Sequence, residues 1–229
     1  MNFPQTYAIS DRALTIVCSE IISEQAHQQV MQLRNLLEAA PFEGFIESVP
    51  AYGSLTVYFN PPATLASVET LMKASLDSVT YVNASDPSEI LVPTHIIPVC
   101  YDDEYAPDWQ EVSEQTGLTS NEIIAMHTAM VFRVYMIGFV PGFAYMGILP
   151  EALQTSRRKV PRLKVPSGSV AIAGRQTGIY PADIPGGWNL IGRTPVKLFD
   201  KHKEPCSFLC SGDIVQFRAI SKNAFETFA

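Results

Sequence analysis

The chain has 229 residues and a net charge of −7, and 47% of its residues are hydrophobic. This composition is that of a folded protein rather than a disordered one, and its acidic balance argues against nonspecific binding to nucleic acid. No apolar run predicts a membrane span, the N-terminal residues do not resemble a signal peptide, and the scattered cysteines predict no metal site. The expected location is therefore the cytoplasm.

The first 90 residues combine strand-like and helix-like patterns. Extended, β-branched runs lie within residues 6–18, 44–49 and 54–59, and amphipathic helices follow the first and the third of them. This strand–helix–strand–strand–helix order begins a ferredoxin-like unit, whose last strand is expected within residues 78–92. The same region carries three basic and ten acidic residues, so it holds the entire net charge. The sequence thus predicts an N-terminal ferredoxin-like α/β domain over residues 1–90.

Residues 91–229 show a different pattern, in which short strands alternate with turn residues. Two helices are predicted near the start: one over residues 108–117, ended by Gly117, and one opened by the capping box Thr119-Ser-Asn-Glu122. Further on, the runs SVAIAG, NLIGRT, VKLF and IVQFRAI are typical of short strands in a β-barrel or a β-sandwich. Spacing alone does not choose between these two architectures.

The most unusual stretch runs from Gly138 to Thr194. It holds nine of the thirteen glycines, and its lack of a sustained apolar period indicates tight turns and close backbone approaches. Between Glu151 and Asp183 there is no acidic residue, although this interval carries six cations: Arg157, Arg158, Lys159, Arg162, Lys164 and Arg175. Such a local inversion of charge suits a carboxylate or phosphate site, although a solvated basic loop has the same pattern.

Neutral and aromatic side chains of this stretch are candidates for contact with a small molecule. Gln176 offers two donors and an acceptor, which fits the edge of an amide or lactam. Other neutral hydrogen-bonding groups lie close to it in sequence: Ser169, Thr177 and Tyr180. Aromatic residues that follow a predicted strand are suited to the wall of a pocket, or to ordinary loop packing: Phe139, Phe143 and Tyr145.

Charged candidates complete the predicted site. Arg162 and Arg193 are the best partners for a carboxylate, because a guanidinium group binds it through two hydrogen bonds. Arg193 has a structural alternative, a pair with Asp183 or Asp200. His127 could act as acid or base near neutral pH, although a lone helix histidine is more often structural. Neither a P-loop nor a clean GxGxxG motif occurs, so we expect no nucleotide site of that type.

Long motifs of the stretch carry a family resemblance. GFxPGFxYMG and RxxxPRxxVPxGSVAIAGxQTGIYPxxxPGGWxLIGRTP resemble the signature of the PxpB/KipI family, also described as allophanate hydrolase subunit 1 or a carboxyltransferase domain. Weaker similarity includes VPAYGSLTVYFNP and IPVCYDDEYAPDW, so it reaches over nearly the whole chain. The resemblance implies a cyclophilin-like β-barrel over residues 91–229, and hence an α+β fold in which this barrel follows the ferredoxin-like domain.

The resemblance also implies an activity. PxpB-type members of this family belong to a bacterial ATP-dependent 5-oxoprolinase, in which they act with PxpC-like and PxpA-like subunits to open 5-oxo-L-proline to L-glutamate. The chain is then expected to be a hydrolase subunit that is inactive alone, in a complex that uses ATP. On this model the catalytic residues are His127, Gln176 and Tyr180. The substrate-binding residues are Phe139, Phe143, Tyr145, Arg162, Ser169, Thr177 and Arg193.

Two alternative functions remain open at this point. KipI-type members of the family inhibit a sporulation histidine kinase, and the barrel would then be a docking surface. A carboxyltransferase acting on carboxybiotin and urea is the other alternative. It predicts a biotin carboxylase partner and a biotinyl-lysine motif, and neither Met-Lys-Met nor Met-Lys-Leu occurs in the chain.

Overall fold

The computed structural model describes residues 4–78 and 94–228. Its internal contacts divide the chain into two compact units, Met1–Ile90 and Leu91–Ala229. Among the described residues, no helix is both long enough and apolar enough to cross a membrane. The strand predicted within residues 78–92 falls almost entirely outside the described residues.

The first unit is a four-stranded antiparallel sheet with two helices packed on one face. Its elements are β1 (Gln5–Ser10), β2 (Ala13–Val17), α1 (Glu24–Ala39), β3 (Phe45–Ala51), β4 (Ser54–Phe59) and α2 (Leu65–Asp77). Side chains alternate along β4, so Leu55, Val57 and Phe59 enter the core beneath the helices. The strand order is β1-β2-β4-β3, and β1 therefore occupies the edge beside β2. A ferredoxin-like unit places its last strand at that edge, so this detail of the prediction is not confirmed.

The second unit is built on a closed seven-stranded β-barrel with strand order β10-β7-β6-β13-β5-β12-β9. Its elements are β5 (Thr94–Cys100), α3 (Trp109–Thr116), α4 (Ser120–Ala129), β6 (Val131–Ile137), β7 (Ala144–Gly147), β8 (Arg162–Val165), β9 (Ser169–Ala173), β10 (Gln176–Ile179), β11 (Ile184–Gly186), β12 (Asn189–Arg193), β13 (Ile214–Ile220) and α5 (Lys222–Glu226). The barrel expected from the resemblance is confirmed, and the sandwich is excluded. Strands β8 and β11 stand apart from the barrel as a two-stranded ribbon.

Local signals set the helix ends of this unit. Thr119 and Glu122 form the predicted capping box at the start of α4, and Gly117 ends α3 with a left-handed φ of 72°. The predicted strand VKLF is wrong, because only Phe199 forms a bridge there, to Ser207. A short apolar run also suits a loop that fills a core, and Leu198 does this.

The inside of the barrel is filled by buried side chains. Every residue of β9 is buried, and the surrounding strands contribute a continuous apolar cluster that includes Ile97, Val99, Phe132, Val134, Ile172 and Phe217. Interiors packed in this way lack voids larger than a water molecule. The lining of the cavity described below lies outside this apolar cluster.

Candidate functional site

The predicted aromatic wall exists as a packed cluster. The ring of Phe143 lies 4.7 Å from Tyr145, 5.2 Å from Tyr180 and 5.7 Å from Trp188, measured between centroids. Phe143, Tyr180 and Trp188 are buried, whereas Tyr145 is half-buried. Phe139 has a left-handed φ of 69° and is 63% exposed, with its ring edge-on to Phe143. Phe143 therefore packs inside the cluster. Within this cluster, only Tyr145 and Phe139 have exposed surface that a ligand could contact.

Tyr180, predicted to be catalytic, is enclosed by backbone. A Cβ atom added to Gly186 would come within 2.3 Å of the Tyr180 hydroxyl, so only a glycine allows the ribbon to lie over this ring. Burial raises the pKa of Tyr180, and a hydrogen bond from the backbone of Trp188 opposes this shift. This placement favours a packing role over the predicted catalytic role.

His127, the predicted acid or base, lies in the barrel core with no exposed surface. The Thr177 hydroxyl donates to the carbonyl of Ala171 at 3.2 Å, so it accepts the Nε2–H of His127 at 2.9 Å. Nδ1 then accepts from the hydroxyl of Tyr101 at 2.9 Å, and the imidazole stacks on Phe217. Burial lowers the pKa of His127 to about 3. The histidine is neutral and fully hydrogen-bonded, which favours a structural role for it and for Thr177.

Arg162 is already paired inside the protein. Its Nη1 and Nη2 donate to the two oxygens of Asp108 at 2.8 and 2.6 Å. Asp108 is 2% exposed, and it also accepts from Arg158 Nη1 at 2.5 Å and from the backbone N–H of Leu190 at 2.7 Å. A buried carboxylate with these donors needs no further partner. This pairing favours a structural role for Arg162 over the predicted binding of a substrate carboxylate.

Arg193 and Ser169 also serve the protein itself. Arg193 Nε donates to the carbonyl of Ser167 at 2.7 Å and so ties the end of β12 to the loop before β9. Asp183, one predicted alternative partner, instead accepts from Lys164 and from the backbone of Ser167, both at 2.8 Å. Ser169 is 2% exposed. Neither Arg193 nor Ser169 lines the cavity that contains Gln176.

Gln176 opens onto a cavity at the outer rim of the barrel. The cavity has a volume of about 560 Å³ and is lined by Gln154, Thr155, Ser156, Arg157, Ala173, Gly174 and Gln176. One wall is the segment 154–157, which pairs with the β9–β10 turn through the bond from Gly174 N–H to the carbonyl of Thr155, 2.6 Å long. No lining side chain titrates near neutral pH. Within the described ranges, no group of acidic, histidine or cysteine side chains is placed to hold a metal ion.

The backbone on both sides of Arg157 is held by buried groups. Asn189 is fully buried, and its Nδ2 donates to Thr155 Oγ1 at 3.0 Å and to the Ser156 carbonyl at 2.8 Å. On the other side, the backbone N–H of Arg158 donates to the carbonyl of Gly187 at 2.8 Å. The guanidinium of Arg158 is held by Asp108. The segment around Arg157 is thus fixed at both ends.

Arg157 itself is exposed, and it forms no hydrogen bond or ion pair with any residue in the described ranges. It lines a second cavity of about 670 Å³ as well, on the far side of the same segment. Its charge also acts on the pKa of Tyr145, opposing the rise that burial causes there. A guanidinium that has no partner among the described residues, on a backbone held at both ends, can bind a small carboxylate beside Gln176. The sequence shows Arg157 as one of six cations, but it does not show that Arg157 is among those without an ion pair in the described residues.

Comparisons with known proteins agree with this fold. A family model described as "Carboxyltransferase domain, subdomain C and D" matches residues 4–209. The B subunit of the 5-oxoprolinase of Bacillus subtilis (strain 168) is 37% identical over 230 residues, which cover 98% of this chain and 96% of that protein. The crystal structure of TTHA0988 matches with a TM-score of 0.78 and 34% identity over 93% of this chain, which spans only 40% of that longer chain. The Kluyveromyces lactis urea carboxylase matches 94% of this chain and 21% of its own at a TM-score of 0.75, and its 15% identity shows a shared fold alone.

Proposed function

The chain belongs to the carboxyltransferase domain family, subdomains C and D, and from this premise we propose that it is the PxpB component of an ATP-dependent 5-oxoprolinase. Its partners are a PxpA-like protein and a PxpC-like protein, and the complex opens 5-oxo-L-proline to L-glutamate. The name of the Bacillus subtilis relative, similar over nearly the full length of both chains, supports this function. The observation that carries the site is Arg157, which has no partner within residues 4–78 and 94–228 and lines the same cavity as Gln176.

The lining of the cavity suits the chemistry of 5-oxoproline. This molecule has a carboxylate next to a lactam N–H and carbonyl. Arg157 can bind the carboxylate through two hydrogen bonds, and Gln176 lies on the wall of the same cavity, where its amide would face the lactam edge. The cavity volume of about 560 Å³ exceeds what so small a ligand requires. Tyr145 and Phe139 belong to the aromatic cluster, and the charge of Arg157 lowers the pKa of Tyr145 against the rise caused by burial.

The chain's own contribution is to bind and orient the substrate. The lining groups are amides, hydroxyls, backbone and one guanidinium, so none of them can take up or release a proton near neutral pH. Guanidinium and amide donors can stabilise negative charge that develops on a lactam oxygen or a transferred phosphoryl group. ATP, bound by the complex, supplies the phosphoryl group that activates the lactam carbonyl. On this proposal the chain is inactive without its partners.

ATP-dependent release of glutamate from 5-oxoproline tests this proposal. The wild type is assayed alone and with candidate PxpA-like and PxpC-like proteins, and is compared with Arg157→Ala and Gln176→Ala. Arg218→Ala is the matched control, because Arg218 is an exposed arginine of β13 outside the cavity. We expect turnover only in the mixture, and a loss of at least about 100-fold in kcat/KM for Arg157→Ala, in keeping with one lost charged contact. Full activity of Arg157→Ala would refute the site.

Mixtures with a histidine kinase, and with a biotin carboxylase and urea, separate the two alternatives. A chain that shows no turnover in any mixture and binds a histidine kinase tightly is a kinase inhibitor. A chain that supports carboxylation of urea only with a biotin carboxylase partner is a carboxyltransferase component. Glutamate release that depends on the PxpA-like and PxpC-like proteins excludes both as the main function.

A further inference from the structure

The second cavity that Arg157 lines carries charges of both signs. This mixed-charge cavity has a volume of about 670 Å³, and its lining includes the carboxylates Asp108, Glu111 and Glu114 and four cations of the segment 157–162. The cavity that contains Gln176, called the substrate cavity below, has no acidic residue of the described ranges in its lining. The two cavities therefore favour ligands of different charge.

The helical period of α3 brings its acidic side chains to the mixed-charge cavity. Glu111, Glu114 and Gln115 follow one another at intervals of three and one, so they lie on the same side of the helix. Val112 points to the opposite side, into the barrel core, and has no exposed surface. Gln115 Oε1 accepts from the backbone N–H of Ser156 at 2.8 Å. This bond joins the acidic wall to the basic segment that forms the other wall.

Part of the lining is neutralised by pairs within the protein. Asp108 accepts from both Arg158 and Arg162, and Arg158 Nη1 also donates to Glu111 at 3.2 Å. Two carboxylates and two guanidinium groups are thereby matched with one another. These four side chains need no charge from a ligand.

Three charged side chains of the lining are left without an opposite charge. Arg157 and Lys159 are exposed, and neither forms a hydrogen bond or an ion pair with any residue of the described ranges. Glu114 is also exposed, and within those ranges its hydrogen bond comes from a neutral donor, Gln110 Nε2, at 3.0 Å. The unmatched set is therefore two cations and one carboxylate, with one net positive charge.

A ligand that complements this set carries two carboxylates and one ammonium group. L-glutamate has these three charges and one net negative charge, whereas 5-oxo-L-proline has one carboxylate and a neutral lactam. Hydrolysis breaks the lactam C–N bond, adds OH to the carbonyl carbon and hydrogen to the nitrogen, and so creates the second carboxylate and the amine. The charges of the mixed-charge cavity therefore match the product of the proposed reaction and not its substrate.

We propose that the mixed-charge cavity binds L-glutamate, with its carboxylates at Arg157 and Lys159 and its ammonium group at Glu114. The identity of this ligand rests on the proposed function. Arg157 lines both cavities, and one guanidinium group cannot bind two carboxylates bidentately at the same time through the same pair of donors. Glutamate in the mixed-charge cavity therefore competes with new substrate for Arg157.

The test is calorimetric titration of the full chain, without ATP or partner proteins, with L-glutamate and with glutarate. Glutarate keeps both carboxylates and lacks the ammonium group, so the wild type should bind it at least about tenfold more weakly. Glu114→Gln should reduce this preference to within about twofold, because the group that recognises the ammonium is lost. Lys159→Ala should weaken the binding of both ligands by about the same factor, roughly tenfold.

The matched controls are Lys201→Ala and Glu204→Gln, which remove the same charges at exposed positions outside the mixed-charge cavity. Both should bind L-glutamate within about twofold of the wild type. A wild type that does not bind L-glutamate at millimolar concentration would overturn the proposal, and so would a preference over glutarate that survives Glu114→Gln or unchanged binding by Lys159→Ala. Failure of the proposed function is recognised separately, as mixtures that release no glutamate, because this titration requires no turnover.

Discussion

Asp108 and Arg162 are 54 positions apart in the sequence, and they form a pair with two hydrogen bonds, 2.6 and 2.8 Å long. The carboxylate is 2% exposed and also holds Arg158 and the backbone of β12. One buried charge thereby joins the start of α3, the segment around Arg157 and the ribbon. The pair holds these elements in place, although neither residue lines the cavity that contains Gln176.

Asp108→Asn is expected to lower the free energy of unfolding by about 3–5 kcal/mol, because two arginines lose a buried partner. Chemical denaturation monitored by circular dichroism measures this change. The matched control is Asp183→Asn, which removes an exposed pair with Lys164 and should change stability little. Equal effects of the two substitutions would mean that burial of Asp108 contributes nothing.

Local features of the fold were predictable, because they depend on neighbours in the sequence. The capping box at Thr119 and the glycine stop at Gly117 involve contacts over three or four residues, and such contacts leave a clear pattern. Barrel closure is different. It depends on pairing between β9 and β10 and on a parallel pair of β5 with β13, which spacing alone does not specify, so it followed from the family resemblance.

The site was predicted only in part for the same reason. Gln176 lines the wall of a cavity, and its binding of an amide stays a prediction. Which arginine is available depends on Asp108, a residue about 50 positions distant from both arginines that it binds. Likewise, the burial of His127 follows from its packing against Phe217, 90 positions away. Residue type suggested the chemistry, and tertiary contacts decided which residues were accessible.

His127 predicts a pH dependence of stability. Its pKa is about 3 in the folded protein, against a usual 6.5, so on acidification the unfolded chain binds a proton at this residue before the folded chain does. This contribution to stability is complete above about pH 6.5 and is lost as the pH falls towards 3. Denaturation of the wild type and of His127→Gln across this range should give a flatter profile for the variant. Parallel profiles would show that His127 does not titrate in this way.

Asn189 predicts an effect on the substrate site without contact with substrate. Asn189→Leu removes the hydrogen bonds to Thr155 and Ser156, so Arg157 is less well positioned. In the assembled complex we expect KM for 5-oxoproline to rise about tenfold while kcat changes less, as for lost ground-state binding. Asn121→Leu, at an exposed position of α4, is the control and should leave KM unchanged. An unchanged KM for Asn189→Leu would exclude this positioning role.

Two adjacent glycines give a direct test of the packing over Tyr180. A Cβ at Gly186 would lie 2.3 Å from the tyrosine hydroxyl and 2.6 Å from its ring, whereas at Gly187 the nearest atom is 3.6 Å away. Gly186→Ala should therefore lower the free energy of unfolding by about 1–3 kcal/mol, because the ribbon must shift away from the ring. Gly187→Ala should be nearly neutral. Adding Gly186→Ala to Tyr180→Leu should restore part of the stability that Tyr180→Leu loses, so the double variant should be more stable than Tyr180→Leu alone. Thermal unfolding of the wild type, the two single variants and the double variant would measure this. Equal destabilisation by the two alanine substitutions would show that contact with Tyr180 is not what requires a glycine at 186.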